Sequence, residues 1–186
     1  MSSFPIIATI LSMVLGLSVT RLLLGLVTVF RIRRASPIDW VPLVWALVLF
    51  ETQLEFWWAI NQLPSIKPTF NFQEFIFLVL LTLMLFLSAA LLLPSRSEDE
   101  QEGLRIYFEQ DGRYSLLSYS AFLVLGFAVN VFFMKSPVAS EWAYIDIILF
   151  ILPVAAFFAR SRTLYAAISL GYLPLTIFDT FLSLSN

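Results

Sequence analysis

Two stretches decide the fold: FPIIATILSMVLGLSVTRLLLGLVTVF, residues 4–30, and WVPLVWALVLFETQLEFWWAI, residues 40–60. Each is apolar over the length of about 20 residues that a helix needs to cross the hydrocarbon core of a bilayer. Each also carries charge where charge is costly: Arg21 in the first, Glu51 and Glu55 in the second. Folding the two back on each other about Ser36 sets Arg21 opposite Glu51, since both lie fifteen residues from that point. Glu55 follows Glu51 by one helical turn on the same face. An unpaired charge at the bilayer centre costs at least about 2.5–3.5 kcal/mol on insertion scales. The register therefore predicts an Arg21–Glu51 pair, with Glu55 as the carboxyl left to titrate or to meet a cation.

The rest of the chain has the same character. Of 186 residues, 60% are hydrophobic and 13% are charged, and the mean hydropathy is +0.88. A soluble domain is about half apolar and about a quarter charged, so this surface must itself be apolar. The 19 Phe suit a lipid-facing surface. There is no Cys and no His. That excludes disulfide frameworks, thiol nucleophiles, Ser–His hydrolysis, zinc fingers and His-ligated haem. There is no Gly-rich phosphate loop, and Tyr144–Asp146 and Phe178–Thr180 lack the glycine-flanked aspartate motif of intramembrane aspartyl proteases. The reading is not an enzyme, with no cofactor, no metal and no nucleic-acid partner.

Six apolar segments meet the spanning length: about 5–30, 40–60, 73–94, 115–134, 142–159 and 163–183. Nothing before the first resembles a cleavable signal peptide. Arg31, Arg33, Arg34, Arg96, Arg105, Arg113, Arg160 and Arg162 fall in one set of loops, and only Lys67 and Lys135 in the other. The positive-inside rule then places the arginines in the cytoplasm and both termini outside. The expected fold is one all-α integral membrane domain, 1–186, of six transmembrane helices, N-out and C-out. The bilayer of a plasma membrane, in a bacterium the inner membrane, is its expected surroundings. A further copy of the chain or a partner membrane subunit is the expected companion.

The long loop, 95–113, starts with the acidic residues Glu98, Asp99, Glu100 and Glu102. Leu104, Tyr107 and Phe108 then share one helical face, which predicts an amphipathic segment lying on the cytoplasmic leaflet, or a docking site for a cytoplasmic partner. Trp40, Trp45, Trp57, Trp58 and Trp142 are read mostly as markers of helix ends in an aromatic belt.

The sixth segment carries a second pattern. Arg162, Tyr165, Ser169, Tyr172, Thr176, Asp179, Thr180 and Ser183 recur at three- and four-residue spacing and form one polar stripe. Such a stripe faces a watery path or glues helices together. Pro174 lies within it and frees a backbone carbonyl. Glu55, Glu74, Asn130, Asp146 and Asp179 all fall toward the outer side, where acids attract cations; for Glu74, simple contact with water is the better reading. Two functions follow as expectations. One is a channel or transporter for protons or a small cation, built on Arg21, Glu51 and Glu55 and on the stripe. The other is a non-transporting scaffold, accessory subunit or sensor.

Overall fold

The computed structural model describes residues 4–33, 37–67, 69–94, 103–133 and 143–185, without the side chains of residues 143, 144, 146 and 182–185. The described residues form helices and no strand. In chain order they are α1 (Phe4–Ile32), α2 (Trp40–Ile66), α3 (Phe72–Leu92), the short α4 (Leu104–Tyr107) running into a π-helical turn (Phe108–Gly112), α5 (Tyr114–Phe132), α6 (Ala143–Phe158) and α7 (Arg162–Ser185). Five of these, α1, α2, α3, α5 and α7 as far as Phe181, are long and apolar enough to cross a membrane. In α6 the apolar stretch is the shorter Ile147–Phe158. The chain is a multi-pass membrane protein. Large apolar side chains such as Ile6, Met13, Leu17, Phe132, Ile151 and Phe181 stand on its outside, as a lipid solvent allows.

The long helices alternate in direction. Ser18 of α1 donates to the Leu85 carbonyl of α3, and Gly25 lies against Leu93, so α1 and α3 run parallel. Ser88 and Ser115, and Ser118 and the Met84 carbonyl, tie α3 to α5 in antiparallel register. Phe127 meets Phe150, and Tyr172 meets the Leu149 carbonyl, which continues the alternation through α6 and α7. Packing runs from α3 to α5, α6, α7, α2 and back to α3, closing a ring, with α1 laid against α3 and α2. Arg31, Arg33, Arg105, Arg113, Arg160 and Arg162 stand at the end of the bundle that carries α4. Lys67 stands at the far end, where it pairs with Glu74.

In lipid, helices associate through close contact and hydrogen bonds rather than through apolar burial. The α1–α3 seam shows why small residues line it. A Cβ on Gly25 would come within 2.6 Å of the Leu93 Cβ. Helix ends are closed from outside the helix. Asp39 accepts from the Val41 amide and caps α2. Asn71 and Glu74 form a reciprocal capping box at the start of α3. Glu74 is thus a buried, paired cap, where the sequence suggested an acid facing water. The last carbonyls of α3 have no helical partner; Arg21 donates to those of Ala90 and Leu93, at 3.0 and 3.3 Å, and the Tyr107 hydroxyl to that of Leu91 at 2.9 Å.

One expected boundary and two expected surface placements shift. α2 continues past residue 60 to Ile66, because Asn61 and Ser65 bond back to the carbonyls of Trp57 and Gln62 and stay within the helix. Trp45 is buried in the core rather than set in a belt, while Trp57 and Trp58 are exposed. The amphipathic segment is real, but its apolar face does not lie on the leaflet. Leu104, Tyr107 and Phe108 are buried against the bundle, and the Phe108 ring meets that of Tyr165 at 6.1 Å. The acidic run 98–102, Arg34, Arg96, Lys135 and Trp142 lie outside the described residues.

Candidate functional site

The centre of the ring is filled on one side and hollow on the other. Trp45, Tyr119 and Tyr172 are fully buried, with ring centroids 4.9 Å apart for Trp45–Tyr172, 6.4 Å for Trp45–Tyr119 and 6.2 Å for Tyr119–Tyr172. Each polar edge has a partner. The Trp45 indole donates to Ser169 at 2.8 Å, the hydroxyls of Thr52 and Tyr119 share a bond of 3.0 Å, and Tyr172 donates to the Leu149 carbonyl. Buried aromatic groups with polar edges need such partners, so these three rings form a bonded plug.

Beyond the plug, away from α4, lies a cleft of about 180 Å³. Glu51, Thr52 and Glu55 of α2 line one side, and Tyr172, Thr176, Asp179 and Thr180 of α7 the other. Phe56, Phe122, Leu123 and Leu149 close it with apolar surface. No Lys or Arg lines it among the described residues. Thr180 donates its hydroxyl to Glu51. Counted from Asp39, Glu51 is twelve residues along α2, about 18 Å at 1.5 Å per residue.

The cleft gathers Glu51, Glu55, Tyr172, Thr176, Asp179 and Thr180, all of them candidates from the sequence. Asn130 lies outside it and lines two neighbouring cavities. Asp146 is on α6, with its side chain outside the described residues, as is that of Ser183. The polar stripe of α7 divides in two. Its half near α4 is structural: Arg162 pairs with Asp39, Tyr165 donates to Glu109, and Ser169 accepts from Trp45. Its far half faces the cleft.

The expected Arg21–Glu51 pair is not formed. Arg21 sits on the Ser18–Gly25 face, and that face meets α3, so the guanidinium reaches the carbonyls at the C-terminal end of α3. The loop midpoint could not set the direction in which each residue points around its helix axis. A cation at a helix C-terminus is favoured by the helix dipole and by the unpaired carbonyls there.

Two participants were missed. Thr52 and Tyr119 join the plug to the cleft. Thr52 sits in no polar repeat of its own, whereas Tyr119 stands with Tyr114, Ser115, Ser118 and Ser120 in a hydroxyl-rich first half of α5, a signal that could have found it. Gln53 is 1% exposed, and neither end of its amide has a hydrogen-bond partner.

At the α4 end, Glu109 accepts from Tyr165 at 2.6 Å and from Arg105 at 2.9 Å. Burial acts to raise its pKa, but the Tyr165 hydroxyl and the Arg105 guanidinium outweigh it and hold the carboxyl below its usual range.

Comparison of the chain with protein-family models, with curated proteins and with solved structures gives no match in any of the three.

Proposed function

We propose that this protein is a transporter for protons or a small cation, with Glu51, Glu55 and Asp179 as its binding groups. One observation carries the reading: three acidic side chains from two helices line a single cleft that has no basic residue among its described walls. Acids in a low-dielectric site are costly to ionise, and an arriving cation or proton lowers that cost. The plug of Trp45, Tyr119 and Tyr172 blocks the way toward α4. A blind site of this kind favours a carrier that changes shape over an open channel.

The reading includes an orientation. The arginine-rich end with α4 is cytoplasmic by the positive-inside rule, the cleft belongs to the outer half, and α6 acts as a sixth span that completes the ring. The expected location is the plasma membrane. A second reading, a non-transporting membrane component, is favoured by the structural role of Arg21 and of the α4-side half of the stripe, both of which hold helices together.

The deciding experiment is ion and proton flux into liposomes for the wild type, Glu51→Gln, Glu55→Gln and the double variant, with folded yield measured alongside. Transport predicts lost flux at intact yield. Absent wild-type flux, with poor folding of the variants, would sink the transport reading and leave the packing role.

A further inference from the structure

The cleft has a second approach. Between α2 and α7 the outer surface holds a groove of about 450 Å³, lined by Leu54, Trp58, Glu51, Glu55 and Thr180. Leu54 is 47% and Trp58 58% exposed, on the side where the bundle meets lipid. Glu51, Glu55 and Thr180 line both this groove and the interior cleft. Groove and cleft are therefore the two faces of one slit, and the wall between them is made of these three side chains.

The chemistry of the slit selects its occupant. The outer face offers apolar and indole surface beside two carboxylates. The inner face offers Asp179 and hydroxyls against Phe56, Phe122 and Leu149. The cavity beyond, of about 190 Å³, shares Phe56, Ala59 and Phe122 with the cleft and is lined chiefly by Ile60, Leu63, Leu78 and Leu81. A bare metal ion wants a cage of six or more oxygens at about 2.0–2.6 Å, and no group of acidic residues is placed to hold one among the described residues. The headgroup of a phospholipid brings a phosphate, which the carboxylates repel. A cation with an apolar body meets every wall: its charge is matched by Glu51 and Glu55, its body by Leu54, and its positive face by the aromatic rings.

We propose that the α2–α7 slit is the access route and binding site for a lipophilic organic cation, a quaternary ammonium, a phosphonium or a protonated amine with an apolar body, which reaches Glu51 and Glu55 sideways from the bilayer. The proposal rests on the reading of the cleft as a cation site and names the class of cation. Such a molecule is already concentrated in the membrane, so it needs no aqueous opening to arrive. The plug then separates it from the α4 end.

The test uses the full chain in phosphatidylcholine nanodiscs, titrated with tetraphenylphosphonium, with empty nanodiscs to subtract partition into lipid. Saturable binding is expected, about tenfold or more tighter than that of tetramethylammonium. The Glu51→Gln/Glu55→Gln variant should weaken it about tenfold or more. Leu54→Trp, on the lipid face and outside the core, should slow association by narrowing the groove. Uptake no greater than in empty nanodiscs, or binding indifferent to both variants, overturns the proposal. Proton or metal-ion flux by the wild type without tetraphenylphosphonium binding overturns it while leaving the cation site standing. Absence of both flux and binding overturns the two together.

Discussion

The indole N–H of Trp45 donates to the hydroxyl of Ser169 at 2.8 Å across the α2–α7 interface, and Ser169 in turn donates to the Tyr165 carbonyl one turn back in its own helix. Both side chains are buried, so this bond fastens the plug beneath the cleft. Ser169→Ala leaves the indole donor without an acceptor and is expected to cost about 1–3 kcal/mol. Trp45→Phe/Ser169→Ala should cost less than the sum of the two single changes. Unfolding of the purified protein in mixed micelles measures the cycle, and strict additivity would count against the bond.

Arg21 and Glu51 should behave as unrelated residues. Arg21→Gln removes the donors that close the end of α3 and is expected to lower stability by about 1–3 kcal/mol, with flux per folded molecule kept. Glu51→Gln should do the reverse, sparing the fold and removing flux. If the two variants share one phenotype, the pair expected from the hairpin register exists after all.

Gln53 is a buried amide with neither end bonded. Leaving such a group unpaired costs about 1–3 kcal/mol. Gln53→Met keeps the length of the side chain and removes the amide, so it should raise the unfolding midpoint in detergent. A lower midpoint would mean that the amide has a bonded role.

Glu109 gives the α4 end a pH dependence. Its folded-state pKa lies below the unfolded value of 4.5. Its contribution to stability is therefore complete above pH 4.5 and is lost as the pH falls below that value through the folded-state pKa. Glu109→Gln should flatten stability against pH in this acid window and leave the slope near neutrality unchanged. Unfolding curves from pH 3 to pH 7 test it, and parallel curves for wild type and variant would exclude the effect.

Much of this was legible in the sequence, for reasons that differ by residue. The spans were written in apolar length, and the α7 stripe in a three- and four-residue repeat, so Thr176, Asp179 and Thr180 could be assigned to one face before any coordinates. Glu51 and Glu55 stood out because carboxylates in an apolar run are rare. What the sequence withholds is the neighbour. Periodicity gives the face of a helix but not the helix that face will meet, and for that reason Arg21 was matched with α2 when it belongs to α3. The same limit hid Trp45, which looks like a belt residue until Ser169 is seen across from it. Leu104, Tyr107 and Phe108 were correctly grouped, but a face suited to lipid is equally suited to the bundle.

The bonds between α2 and α7 occur in a fixed order. Arg162 holds Asp39 at the α4 end, Ser169 holds Trp45 midway, and Thr180 holds Glu51 beside the cleft. The two helices run parallel and are pinned at their base by a charged pair and a buried indole bond. Their upper fastening includes a hydroxyl on a carboxylate whose bonding depends on its own charge. Under the proposed transport, a pair fastened in this way would work like tweezers, its tips parting while the base stays shut. The hand that opens them would then be the cation or proton that neutralises Glu51.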